Sequence, residues 1–184
     1  LYTHDHMLPW GRLRDLPSQS HRANVVVVTK CPTHMQPIDR RIVSNTLQLA
    51  SYQHLCYSSI GYAPIHLNGT PLIVTGIANP MPLLTHLQQQ YPDTELLAYP
   101  DHHIFTPQDV NRIMQKAEQY VCVVTTEKDY MRLLQTPLVE QLGDKLHVIS
   151  IQTNLGIDKE AFDRQILLYV SENNRTKPNI TTLQ

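Results

Sequence analysis

Asp101, His102 and His103 stand together between a run that reads as a strand, Glu95 to Ala98, and one that reads as a helix, Pro107 to Gln119. Imidazole moves protons readily near neutral pH, and a neighbouring carboxylate can orient it and tune its basicity. Loops at the carboxyl ends of strands are exposed yet rigidly held, which is where α/β proteins place chemistry. The trio fits a catalytic dyad, a metal site, or a helix-entry turn of mutually satisfied polar groups. Successive residues in extended backbone point to opposite sides. Unless the turn breaks that geometry, Asp101 and His103 are therefore expected on one side and His102 on the other, so the two rings are not expected to serve one reacting atom.

Three other segments carry charge or special backbone. Thr75-Gly76-Ile77-Ala78-Asn79-Pro80 ends a strand and opens a helix. A helix start can hold an anion, but this is not GxGxxG, and no GxxxxGK[ST] occurs in the chain. A plain strand-to-helix connection is the better expectation. Thr126-Glu127-Lys128-Asp129 also follows an apolar run. It reads either as a helix start capped by Thr126 with a solvated Lys128, or as charges that hold a ligand. Gly11-Arg12-Leu13-Arg14-Asp15 brings two cations and an acid. Arginine suits bidentate contact with phosphate, although such a run is expected first as a solvated helix face.

The elements that must position these groups alternate. Strands are expected at Asn24 to Thr29, Leu55 to Ile60, Leu72 to Ile77, Glu95 to Ala98, Tyr120 to Thr125 and Leu146 to Ile151. Most are continuous apolar runs, as in a parallel sheet covered on both faces. Helices are expected at Ile38 to Ala50, Met81 to Gln90, Pro107 to Gln119, Asp129 to Leu134 and Lys159 to Val170. The third has a Thr106 cap, Asp109 three residues on, and Val110, Ile113, Met114 and Ala117 on one stripe. Strands alternating with helices give an α/β fold: a doubly wound, mostly parallel sheet with helices on both faces, three layers in all.

The chain has 184 residues, 41% hydrophobic and 17% charged, so a folded domain is expected. A formal net charge of -1 gives no broad footprint for nucleic acid. Cys31, Cys56 and Cys122 form no CxxC pair, which argues against structural zinc. Cys56 and Cys122 lie in apolar runs and are expected in the core. No apolar run approaches the roughly 20 residues of a membrane span. The chain opens at Leu1 in loop-like sequence, from which a longer protein is expected. Residues 1–22 then read as the end of a preceding domain or an interdomain segment, 23–170 as an α/β domain, and 171–184 as a polar, frayed tail.

In order along the chain, five pieces resemble the C-terminal part of the tetraacyldisaccharide 4'-kinase family, the lipid A kinases of Gram-negative bacteria. They are Leu8-Pro9-Trp10-Gly11-Arg12-Leu13-Arg14-Asp15; Arg22-Ala23-Asn24 with the Val25 strand and Thr29-Lys30-Cys31-Pro32; Gly76-Ile77-Ala78-Asn79-Pro80; Tyr99-Pro100-Asp101-His102-His103-Ile104-Phe105; and Thr125-Thr126-Glu127-Lys128-Asp129. The Thr-Lys-Cys-Pro form is similar to the Bacteroidetes branch. The likeness spans about residues 7 to 150.

The resemblance implies transfer of the ATP γ-phosphate, with Mg²⁺ bridging the phosphates, to the 4'-hydroxyl of a tetraacylated disaccharide 1-phosphate, the lipid A precursor. It implies two α/β domains with the P-loop in the first, and a peripheral place on the cytoplasmic face of the inner membrane. ATP, Mg²⁺ and the membrane would be met mainly by the preceding domain, leaving this chain inactive alone. It also implies catalytic roles for His102 and Asp101, with an aspartate of the preceding domain. Arg14 and Asp15 match an Arg-Glu pair near the active site, the acid one methylene shorter here. With Glu127 and Lys128 they are candidate substrate or phosphate contacts. No resident metal is expected from this chain's own ligands. Two alternatives stand beside this reading. One is an Asp-His-His phosphoesterase using Mn²⁺, to which His4-Asp5-His6 could add ligands. The other is a non-catalytic module binding a sugar lipid or a partner.

Overall fold

The computed structural model describes residues 1–174. In chain order the elements are β1 (Val25–Cys31), α1 (Pro37–Leu47), β2 (His54–Tyr62), β3 (Pro71–Thr75), α2 (Met81–Gln88), β4 (Glu95–Ala98), α3 (Pro107–Ala117), β5 (Cys122–Thr126), α4 (Glu127–Leu133), α5 (Leu138–Leu142), β6 (Leu146–Ile149), β7 (Ile151–Asn154) and α6 (Lys159–Asn174). The described residues fall into two compact units, one of residues 1–60 with 153–174, the other of residues 61–152.

In the 61–152 unit four parallel strands run in the order β4-β3-β5-β6. From β3 the chain passes through α2 to β4 on one side. It then returns through α3 to β5 on the other side of β3 and goes on to β6. The winding direction therefore reverses between β3 and β5. Open α/β sheets bind ligands at the carboxyl ends of strands at such a switch point, here called the β3–β5 crevice. Leu72, Val74 and Val123 face a layer holding Val110, Ile113 and Ala117 of α3, Leu133 of α4, and Leu138 and Leu142 of α5. Ile73, Cys122 and Val124 face Leu83 and Leu87 of α2. Both strand faces are thus covered, and β3 and β5 are buried along their whole length. Each fully buried Leu, Ile or Val contributes about 1.5–3 kcal/mol. This is the expected three-layer α/β/α arrangement. The Thr106 hydroxyl accepts from the Asp109 N–H, and the Asp109 carboxylate accepts from the Thr106 N–H, so the capping box of α3 forms as its sequence indicates.

In the other unit β1 runs parallel to β2, Val25 opposite His54 and Val28 opposite Tyr57. The register breaks between Val28 and Cys31, where Lys30 adopts φ +59. Arg40 of α1 pairs through Nη2 with both carboxylate oxygens of Asp158 and lies 4.4 Å from the Tyr57 ring centre.

Several expectations are corrected. The apolar run Leu146 to Ile151 is two strands. β6 belongs to the four-stranded sheet, and β7 to a three-stranded sheet of order β1-β2-β7. The break falls at Ser150, a single polar residue with no Gly or Pro beside it to mark a turn. Gly11 to Asp15 is not a helix face. It lies in a tight loop closed by Leu8 N–H to the Leu13 carbonyl at 2.9 Å and Leu13 N–H to the His6 carbonyl at 3.0 Å. A Cβ on Gly11 would meet the His6 carbonyl at 2.1 Å, so only glycine closes that loop. Helix α5 was not expected, because five residues between Pro137 and Gly143 are too few to show a period. Helix α6 continues through Asn174, so Ser171 to Asn174 are helical; the rest of the expected tail lies outside the described residues.

Candidate active site

The charged group at the β3–β5 switch point that is fully buried is Asp129, in the first turn of α4. Thr126, the last residue of β5, caps that helix by accepting the Asp129 N–H at 3.2 Å. The Asp129 Oδ2 accepts three hydrogen bonds: from the Thr75 hydroxyl at 2.5 Å, the Gly76 N–H at 3.0 Å and the Thr126 hydroxyl at 2.9 Å. Its Oδ1 accepts from Arg132 Nη1 at 3.0 Å. A buried carboxylate is tolerated only when it is satisfied in this way. Gly76 lets the loop after β3 approach the loop after β4, since a Cβ there would lie 3.0 Å from the Pro100 carbonyl.

Arg132 carries the network outward. Its Nη2 lies 3.1 Å from His102 Nδ1. His102 sits at φ +61, a conformation that costs a non-glycine residue energy and recurs at functional sites. Its side chain is 73% exposed, whereas that of Arg132 is 23% exposed. The Asp101 carboxylate accepts the His102 N–H at 3.0 Å and the Lys128 ammonium at 3.1 Å, and its second oxygen is 3.7 Å from His102 Nε2. The Lys128 hydrogen bond is the chief influence holding the Asp101 carboxyl below the usual carboxylate range. Asp101 is therefore ionised at neutral pH beside an exposed imidazole.

His103 turns elsewhere. Its Nε2 is 2.9 Å from Asp109 Oδ2, and its ring stacks on Tyr99 at 4.8 Å between centroids. Burial opposes the charge on Asp109, but the Thr106 N–H and hydroxyl together with His103 outweigh it and hold the carboxyl at about 2.

The two imidazoles diverge, His102 to Arg132 and His103 to Asp109, but the grouping differs from expectation. Asp101 shares the side of His102, because the left-handed turn at His102 breaks the alternation. Lys128 joins Asp101 and His102. Glu127 accepts from the Ser150 hydroxyl at 2.6 Å instead. Arg14 and Asp15 belong to the other unit, where both are exposed and Asp15 pairs with Arg22 at 3.7 Å. Among the described residues no three His, Cys, Asp or Glu side chains gather as metal ligands. Asp101 is engaged by Lys128 and His103 by Asp109, so the Asp-His-His set is not assembled as a ligand group. Sequence reasoning missed Thr75, Arg132 and the buried role of Asp129. One signal was available: an acid three residues past a Thr cap at a strand end, followed by Arg three residues further on the same helical face.

The tetraacyldisaccharide-1-P 4'-kinase family model matches residues 2–171. The chain belongs to this family. It is 33% identical to the tetraacyldisaccharide 4'-kinase of Bacteroides thetaiotaomicron, over 95% of this chain and 53% of the relative. It is 34% identical to that of Flavobacterium johnsoniae, over 94% and 52% respectively. The chain thus spans about half the length of the curated relatives it matches. A crystal structure of LpxK from Aquifex aeolicus in complex with ATP covers 86% of this chain and 47% of its own at 15% identity, with a TM-score of 0.45. The match to the 4'-kinase family takes in the whole Asp129–Arg132–His102–Asp101 network. No helix among the described residues is long and apolar enough to cross a membrane.

Proposed function

We propose that this chain supplies the β3–β5 crevice half of an ATP-dependent kinase acting on the 4'-hydroxyl of tetraacyldisaccharide 1-phosphate. The observation that carries the reading is the exposed His102–Asp101 pair, tied by Arg132 to a buried, fully satisfied aspartate at the topological switch point. Family membership supplies the reaction and the acceptor.

In this reaction a bond forms between the acceptor 4'-oxygen and the γ-phosphorus, and the bond from that phosphorus to the ADP oxygen breaks. The hydroxyl proton must leave to a base. ATP supplies the phosphoryl group, and Mg²⁺ neutralises charge on its phosphates. The chain has no GxxxxGK[ST], so its residues do not fit a phosphate cradle, and we assign ATP and Mg²⁺ mainly to residues outside it. His102 and Asp101 are assigned to the acceptor hydroxyl, with a carboxylate as the base and His102 tuning it. Arg14, Asp15, Glu127 and Lys128 are assigned substrate or phosphate contacts. Because the acceptor is a lipid, the enzyme would work peripherally on the ATP-bearing, cytoplasmic face of the inner membrane, touching it through parts beyond this chain.

The test is phosphate transfer from labelled ATP to the tetraacyldisaccharide acceptor by the complete protein that carries this sequence. Labelled 4'-phosphate product is expected. No transfer by a folded, ATP-binding protein overturns the reading.

A further inference from the structure

We propose that Arg132 is a positioning residue that locks His102 as its Nε2–H tautomer, making the ring a hydrogen-bond donor rather than the base. The inference rests on the catalytic reading of His102. Guanidinium has only donors and stays protonated. A ring nitrogen 3.1 Å from Arg132 Nη2 must therefore present its lone pair, and that nitrogen is Nδ1. The proton of the neutral ring is then on Nε2, which faces the ionised Asp101 carboxylate at 3.7 Å.

Arg132 is itself fixed. Its Nη1 donates to Asp129 Oδ1 at 3.0 Å and approaches the Gly76 carbonyl at 3.4 Å, and Asp129 is pinned by Thr75, Gly76 and Thr126. A buried anchor thereby sets the orientation of an exposed ring. The remaining charged neighbours leave this assignment intact: Lys128 is on Asp101, and His103 is turned to Asp109. With Nδ1 occupied and Nε2 protonated, His102 has no free lone pair. The acceptor hydroxyl's proton must go to a carboxylate, while His102 aims its N–H at that carboxylate or at a phosphate oxygen.

Long-range ¹H–¹⁵N spectra of the complete protein that carries this sequence, at a pH of about 9, where imidazoles are neutral, read the tautomer directly, and His102→Ala assigns the signal. A single Nε2–H form is expected, with Arg132→Gln releasing it to a mixture and Arg132→Lys retaining part of the bias. An Nδ1–H ring, or the same spectrum in Arg132→Gln, overturns the proposal. In the complete kinase, Arg132→Gln is expected to lower kcat about 10-fold or more with little change in KM. Adding it to His102→Ala should cost almost nothing further. Losses that multiply would show that Arg132 acts independently of His102 and overturn the proposal. A wild-type kcat in His102→Ala would instead overturn the catalytic reading, while the spectra still judge Arg132.

Discussion

Each unit contains an arginine–aspartate pair drawn in from the surface, Arg40–Asp158 in one and Arg132–Asp129 in the other, and these two pairs end differently. Arg40 gives Nη2 to both oxygens of Asp158 and covers the Tyr57 ring, and Asp158 also takes the Tyr57 N–H at 2.9 Å. That pair closes on itself and fastens α1 to β2. Arg132 instead splits its fork, one nitrogen to Asp129 and the other to His102. Its anchor is fully buried, and its far end is an exposed imidazole. The same two residue types thus make a lock in one place and a lever in the other. What separates them is where the guanidinium donors are aimed: the Nη2 of Arg40 serves one carboxylate, whereas Nη1 and Nη2 of Arg132 serve two different side chains.

The largest expected effect is at the base of the lever. Asp129→Ala removes the acceptor for four donors and strands Arg132, so a loss of about 3–5 kcal/mol in urea unfolding is expected. The matching change in the lock, Asp158→Ala, strands a partly exposed Arg40 and should cost less, about 1–3 kcal/mol. It should leave turnover of the surviving folded enzyme unchanged. Equal stability losses, or a turnover loss at Asp158, would erase the distinction between the two pairs.

Much of this was readable in the sequence, for physical reasons. Fully covered parallel strands need continuous apolar residues, so β3 and β5 announce themselves in Leu72-Ile73-Val74 and Val123-Val124. The same signature over-reads β1, whose Val25 to Val28 are only half-buried. The capping box of α3 is local chemistry and survives folding unchanged. The Asp129–Thr75 bond joins residues far apart in sequence, and no local period reports it. The grouping of Asp101 with His102 depends on one left-handed residue that sequence alone does not mark.

Smaller effects sharpen the contrast between His102 and His103. Asp109 is held at about 2 in the folded protein against an ordinary value of 3.8. A folded pKa below the unfolded one gives stability that is fully present above about pH 4 and lost as pH falls toward 2. Asp109→Asn should flatten that acid limb in a pH series of unfolding midpoints, and an unchanged limb would separate His103 from structural duty. Smallest of all, Lys128→Met should let the Asp101 carboxyl rise toward its ordinary value, read by carboxyl NMR titration. The folding midpoint should move little, since exposed pairs are worth about 0–1 kcal/mol.

The claim that this loop holds one chemical imidazole and one structural one is met most directly by kcat for His102→Ala and His103→Ala, measured side by side in the complete kinase with ATP and the lipid acceptor. The account predicts a loss of about 10²-fold or more for His102→Ala. For His103→Ala it predicts a much smaller change in kcat, with lowered stability. Near-wild-type turnover in His102→Ala, or an equal loss in both, would contradict it.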